Sequence, residues 1–331
     1  MQNLIDFYNS SYKKKLNNYY IDLMGTRFLI VIKNGILYFI ISLISSFLYI
    51  IGVKKYIFVV FVYNIILFVI FVFNIRIKFG KEYEKMNLKV IYDMIKFISN
   101  SNFIYKENFQ IKEKVFKTMD IFNYDLLNYT GCNVIHIPYK NNFILLSDVN
   151  LYTYDNVVTS EIIDDRYLKK TVKKVKRNRF SGMYIELQLT KKNDCYIYLV
   201  PNNISDRYLN SFVVHKGDRV LLEDIIFNKR YVVYSSDQVK SRYILSIDLM
   251  DKINKVDDII PNKKYIVFKD NQTVGIFIND YSFGSLKSVK IPIKRNDGIE
   301  LEYVNSIYSK LNNIFMIYDT LDLNKDIYDL T

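Results

Sequence analysis

FLIVIKNGILYFIISLISSFLYII, residues 28–51, decides the architecture of this chain. Only Lys33 and Asn34 interrupt it, close to its start. A bilayer-crossing helix needs about 20 apolar residues, and this run supplies them. Lys33 lies near enough to one end for its stem to snorkel to the headgroups. After Gly52-Val53-Lys54-Lys55, a second run, Tyr56–Ile75 (YIFVVFVYNIILFVIFVFNI), carries no formal charge. A linker this short makes the two helices antiparallel. The pair reads as a transmembrane hairpin within residues 28–80.

Two other readings fail. Lys13–Lys15 resemble the basic head of a signal peptide, but the apolar run starts too late, is too long, and is followed by another. Two consecutive runs of this length and apolarity also do not suit the interior of a small soluble domain. Basic residues flank the hairpin on its outer sides: Lys13, Lys14, Lys15 and Arg27 before it, Arg76, Lys78, Lys81 and Lys85 after it. Only Lys54 and Lys55 lie between the runs. The positive-inside rule then puts both termini in the cytoplasm, with two spans in the cell membrane. Asn64 and Asn74 are the polar residues of the second run.

The whole chain has 46 basic and 34 acidic residues, a formal net charge of +12. Residues 1–80 hold nine of the bases and two of the acids, so charge gathers around the apolar runs. A nucleic-acid binder concentrates its charge on the folded domain instead, so that class is disfavoured. Half the residues are hydrophobic, enough to build a core. The lack of Trp and Ala and the 30 Tyr reflect biased composition, so single Tyr or Lys residues carry little weight.

Cys132 and Cys195 stand far apart, and His136 and His215 are the only histidines. Cys132 and His136 are four apart, but a metal site needs three or four ligands. Two reduced, partly buried thiols are expected, with no cofactor and no metal.

Residues 81–130 read as an amphipathic helical connector. Met86, Val90, Ile91, Met94, Ile95 and Ile98 share a face, with Lys85, Lys89, Asp93 and Lys96 opposite. A short helix is expected over Ile111–Met119. From residue 131 to 331 the period changes to that of strands. These are expected at Asn133–Pro138, Asn142–Leu146, Met183–Leu189, Cys195–Val200, Arg219–Leu222, Arg230–Tyr234, Tyr265–Lys269 and Thr273–Ile278. Helices are expected over Ser236–Asp251 and Ile299–Tyr318. The fold class is therefore α+β: an N-terminal two-helix transmembrane hairpin, preceded by a cytoplasmic segment 1–27, then a mixed helix and antiparallel-strand cytoplasmic domain.

Lys169–Arg179 (KKTVKKVKRNR) is the densest charge feature, with Lys169, Lys170, Lys173, Lys174, Lys176, Arg177 and Arg179 and no acid. Removing it leaves the chain beyond residue 80 with 30 bases against 32 acids. It reads either as a solvated helix face or as a contact for anionic lipid headgroups. The doublets Asp164-Asp165, Glu223-Asp224 and Asp257-Asp258 read as helix caps or solubilising groups. No G-x-G-x-x-G, P-loop or nucleophile elbow is present, so no catalytic residues are assigned.

Leu221–Val256 resembles the DUF3137 family of uncharacterised bacterial membrane proteins, through Phe227, Tyr231, Tyr234, Ser236-Asp237, Arg242-Tyr243 and Leu249-Met250. Phe180-x-Gly182 is similar to that family's F-x-G, and Phe116, Ile121-Phe122 and Leu146-Ser147-Asp148 resemble its preceding region. Thr118 and Cys132-Asn133 depart from the pattern. The resemblance implies a membrane-anchored protein with no established activity. On the residues alone, Leu221–Val256 reads as strand, tight turn, helix, with Ser236 or Asp237 as the cap and Arg242 tied to a carboxylate or carbonyl.

The expected function is a membrane-tethered, non-enzymatic scaffold or adaptor presenting the cytoplasmic domain to a protein partner, other membrane proteins included. The alternative is a sensor that binds a small anionic ligand; an enzyme ranks third, since histidine is scarce. Homo-oligomers stay open. A flat exposed apolar patch favours the adaptor, and a deep polar pocket near Arg242 or the basic run favours the sensor.

Overall fold

A computed structural model describes residues 2–50, 57–111, 117, 119–122, 127–140, 142–164, 167–188, 195–202, 217–269, 273–292 and 297–321. Its helices are α1 (Gln2–Phe7), α2 (Lys13–Ile50), α3 (Ile57–Ser99), α4 (Ile225–Arg230), α5 (Gln238–Ile244), α6 (Ile247–Ile259), α7 (Gly284–Lys287) and α8 (Asp297–Leu321). Its strands are β1 (Ile104–Lys106), β2 (Asn128–Tyr139), β3 (Asn142–Asp164), β4 (Tyr167–Gln188), β5 (Ile197–Pro201), β6 (Asp218–Val220), β7 (Tyr231–Ser235), β8 (Lys264–Lys269) and β9 (Thr273–Asn279). The fold is mixed helix and antiparallel sheet with two long apolar N-terminal helices. The chain divides into two units, Met1–Met94 with Leu286–Ser309, and Ile95–Ser285 with Lys310–Thr331.

In the first unit, α2 and α3 run well past the apolar stretches. At 1.5 Å per residue, their 38 and 43 residues reach about 57 and 65 Å, roughly twice a bilayer core. The apolar window of each is entirely unburied, and both are long and apolar enough to cross a membrane. Contacts run down the pair in antiparallel order. Lys15 meets Asp93 and Lys89 meets Asp22. Arg27 lies over the rings of Phe79 and Tyr83, Lys78 donates to Asn34 Oδ1, and Tyr38 packs on Phe68 and Phe71.

Leu4, Tyr8, Tyr12, Leu16, Tyr20 and Leu23 are buried at helical spacing, through a π-helical turn at Tyr8–Tyr12. The N-terminal segment is thus a packed element, which sequence reasoning missed although its apolar stripe is visible there. Met86, Val90, Ile91 and Met94 of α3 and Tyr303, Val304 and Ile307 of α8 are also buried. Polar contacts fasten these helices: the Tyr8 hydroxyl donates to Glu300, the Tyr303 hydroxyl to Asn87 Oδ1, and Asn87 Nδ2 to the carbonyls of Lys287 and Val289.

The second unit is one nine-stranded antiparallel sheet, ordered β1-β2-β3-β4-β9-β8-β5-β7-β6. The central strands β5, β8 and β9 are buried on both faces, as their unbroken apolar runs require. Phe122 sits amid Phe180, Tyr265 and Phe277, with ring centroids 5.8, 5.4 and 5.3 Å away. The residue expected as the motif glycine, Gly182, pairs with Asn279 where β9 passes so close that a Cβ would collide with the Ile278 carbonyl.

Several expectations need correction. Residues 81–130 are not helical throughout: α3 stops at Ser99, and β1 and the start of β2 fall inside them. Most of the expected helix Ile111–Met119 lies outside the described residues. Ser236–Asp251 is two helices, because Ser246 caps a new start by accepting from Leu249 N. Phe227 is on α4, not on a strand; Asp224 caps that helix by accepting from the amides of Ile226 and Phe227. The largest difference concerns Lys169–Arg179. It is no helix face but part of β4, paired with β3 in a hairpin far longer than the expected Asn142–Leu146 and Met183–Leu189.

Candidate functional site

Three features of the second unit carry the residues singled out in the sequence. The first is a hollow of about 340 Å³ lined by Leu221, Leu222, Arg242, Leu245, Ile247 and Met250, with Glu223 and Ser246. Several apolar residues of this stretch are exposed to solvent. Leu221 and Ile247 on the wall of the hollow are 65% and 66% exposed; Ile225 and Ile226 on α4, and Val239 and Tyr243 one turn apart on α5, are exposed too. Asp237 builds this corner by accepting from the amides of Val239 and Lys240, which starts α5. Ser236 takes another role: its hydroxyl accepts from the Tyr196 amide. Arg242 has no carboxylate within ion-pair distance among the described residues; it lines the hollow.

Beneath the helices, Phe227, Tyr231 and Val233 are buried, and the rings of Phe227 and Tyr231 lie 5.3 Å apart. The sequence motif is therefore mostly an architectural one: Phe227 and Tyr231 face the core and Asp237 is a cap, while Tyr243 faces solvent.

The second feature is a buried ion pair. Lys264, only 1% exposed, donates to Asp257 Oδ1 at 2.8 Å, to the Asn262 carbonyl at 3.0 Å and to the Ile260 carbonyl. The Tyr231 hydroxyl donates to the same Asp257 oxygen at 2.7 Å, and Arg230 approaches Asp257 and Asp258. Burial pulls the Lys264 ammonium below its ordinary pKa, with Asp257 opposing, and burial followed by Asp257 pushes Tyr231 well up. Asp257 is thus a partner of a buried lysine, not a cap or solubilising group. Three acceptors satisfy Lys264, so it anchors the strand rather than offering a free amine. A polar hollow of about 320 Å³ beside it also exposes Lys229 and Lys263.

The third feature is the basic run on β4. A bulge between Leu151 and Tyr152 leaves Arg179 unopposed. From there it donates to the Thr153 hydroxyl and to both Asp155 oxygens, while Arg177 Nε lies 3.2 Å from Asp155. The Thr153 hydrogen bond, then Arg179 and Arg177, hold the Asp155 carboxyl below its ordinary pKa. Two of the seven bases are therefore internally paired. Lys173, Lys174 and Lys176 are exposed; Lys176 lies 3.7 Å above the Tyr152 ring. Lys169 and Lys170 pair in register with Glu161 and Ser160.

Elsewhere, Asp148 of the Leu146-Ser147-Asp148 segment is buried and accepts from Asn133 Nδ2 and the amides of Phe283 and Gly284. That bonding ties β3 to the start of α7. Cys195 is buried and Cys132 half-buried, neither in a disulfide. Among the described residues, no three His, Cys, Asp or Glu are grouped to hold a metal ion. His215 lies outside the described residues.

Residues 178–323 match the family described as "Protein of unknown function (DUF3137)". The match takes in Phe180, Gly182, the Leu221–Met250 hollow and the Lys264 pair, and leaves Phe116–Leu151 and most of the basic ribbon outside. No curated protein matches the chain. The crystal structure of the mycobacterial trehalose monomycolate transport factor A, TtfA, is similar with a TM-score of 0.35 and 12% identity, over 71% of this chain and 96% of that one. At those values the likeness carries no inference of fold or function.

Proposed function

We propose that this protein is a membrane-tethered, non-enzymatic scaffold whose DUF3137 region presents the Leu221–Met250 hollow to a protein partner in the same membrane. The supporting observation is apolar exposure: Leu221 and Ile247 line the hollow yet stand open to solvent, and Ile225 and Ile226 on α4 and Val239 and Tyr243 on α5 are exposed as well. Large apolar side chains clustered in solvent mark interaction surfaces, and the Arg242 guanidinium supplies a polar contact within it. The tether is α2 and α3 spanning the cell membrane twice, with both termini cytoplasmic by the flanking bases. Their unburied apolar windows support this, since water is a poor solvent for them.

A photo-crosslinking residue at Val239 in the full chain, expressed in cells, tests the reading. A single protein species should be captured from membranes, and capture should vanish when Ile226→Asp and Tyr243→Asp are introduced without changing the thermal melt. Capture that survives both substitutions overturns the proposal. A second reading, a sensor of a small anion, is favoured by the bases Lys229, Arg230 and Lys263 around the polar hollow.

A further inference from the structure

The β3–β4 hairpin outgrows its sheet. β2 pairs with β3 only as far as Tyr152, and β9 pairs with β4 only from Gly182 onward. Among the described residues, positions 153–164 and 167–178 therefore pair only with each other. A two-stranded ribbon in water has no core to hold it and is marginal by itself.

Register sorts its side chains. Tyr152 pairs with Asn178, Tyr154 with Lys176, Asn156 with Lys174 and Val158 with Val172, and cross-strand pairs share a face. The alternate pairs, Thr153 with Arg177, Asp155 with Val175 and Val157 with Lys173, occupy the opposite face. Asp155, with its paired arginines, is confined to that second face. The first face carries Lys174, Lys176, two tyrosines and two valines and no carboxylate over these residues. Tyr154, Val158 and Val172 are 54%, 56% and 61% exposed. The tyrosine rings meet edge to face at 5.5 Å.

We propose that this first face lies on the anionic headgroup surface of the bilayer, and that the Asp155 face does not. The inference rests on the reading of α2 and α3 as membrane-spanning. Exposed valines beside tyrosines suit an interface that is apolar below and wet above. Lysines without acids among them are attracted by anionic lipid, whereas on the opposite face Asp155 already engages Arg177 and Arg179. The bilayer is also the one anionic surface to which the chain would be permanently tethered, which raises its effective concentration above that of any soluble polyanion.

The full chain in a Cys132→Ser background, reconstituted into vesicles, tests this. An environment-sensitive fluorophore goes on Val172→Cys for the first face or Val175→Cys for the second. Vesicles of phosphatidylcholine alone are compared with vesicles that also contain phosphatidylglycerol. The emission at position 172 should shift to the blue only with phosphatidylglycerol, and the shift should be lost with Lys174→Gln and Lys176→Gln or at high salt. It should persist with Lys173→Gln and Arg177→Gln, and position 175 should not respond. An equal response at both positions, a response in phosphatidylcholine alone, or no response overturns the inference. So does an equal shift on adding a soluble DNA oligonucleotide to phosphatidylcholine vesicles. An alkaline carbonate wash separates the premises: a chain stripped from the vesicles overturns the spanning reading and this inference with it, whereas a retained chain without the shift overturns this inference alone.

Discussion

The Arg179 guanidinium donates to both carboxylate oxygens of Asp155, at 3.1 and 2.9 Å, from a bulge that β3 does not oppose. This one contact splits the basic run into bases held inside the ribbon and bases left to solvent. Asp155→Asn should weaken it. Amide hydrogen exchange across 153–178 should quicken while exchange in β8 and β9 stays slow. The carboxyl is held below its ordinary value, so its contribution is present above about pH 4 and is lost as pH falls through the lower folded pKa. Protection of the native ribbon, taken relative to the intrinsic exchange rate at each pH, should fall over that acid range, and that of the variant should not.

Phe227 and Asp237 separate packing from capping. Phe227→Ala empties a fully buried site and should cost about 3–5 kcal/mol. Asp237→Ala removes the bonds to two exposed-helix amides and should cost about 0.5–2 kcal/mol. Denaturant melts of the detergent-solubilised chain, followed by circular dichroism, measure both. An Asp237→Ala chain of native stability that loses partner capture would assign this turn to the binding surface.

Lys264 and Asp257 should show strong coupling. Removing either partner alone strands the other charge, so Lys264→Met or Asp257→Asn should cost about 3–5 kcal/mol. The double variant should recover much of that loss, since no buried charge is then unpaired. Additive losses in the double-mutant cycle would show that the pair does not act as a unit.

Glu186 gives a pH test of opposite sign to Asp155. Burial raises its carboxyl above the ordinary value, against the lowering hydrogen bond from Tyr184. The folded state therefore holds this proton more tightly than the unfolded chain. The benefit is complete below the unfolded pKa of about 4.3 and is lost as pH rises through the higher folded pKa. Glu186→Gln should raise the melting temperature at neutral pH, and the gain should shrink toward about pH 4.

Topology follows from the flanking bases. In intact cells, a membrane-impermeant thiol reagent should modify Gly52→Cys but neither Ser10→Cys nor Asn100→Cys. Modification of Ser10→Cys from outside would reverse the orientation.

Much of the fold was legible because its signals are local. Apolar runs announce α2 and α3, and the short β-rich runs between Asn133 and Ile278 locate six of the eight expected strands within a few residues. Asp237 was readable as a cap because an Asp before a helical period needs only its own next two or three amides. The Leu4-to-Leu23 stripe was equally local and was overlooked beside the stronger apolar runs. The hairpin strands were not legible in the same way. Outside the packed sheet, 154–158 and 172–178 have no alternation of apolar and polar residues to betray a strand, and a lysine-rich stretch scores no better for strand than for helix.

The sequence by itself determined two long apolar helices and an antiparallel sheet flanked by helices, since periodicity and apolar length act between near neighbours. Only the tertiary structure decided which charges meet. Lys264 reaches Asp257 and Tyr231 because β7, β8 and the end of α6 converge, and Asp155 reaches Arg177 and Arg179 because a bulge sets the register of two long strands. The physical reason is that strand pairing joins residues far apart in sequence. A one-residue change of register would move every lysine of the ribbon to its other face.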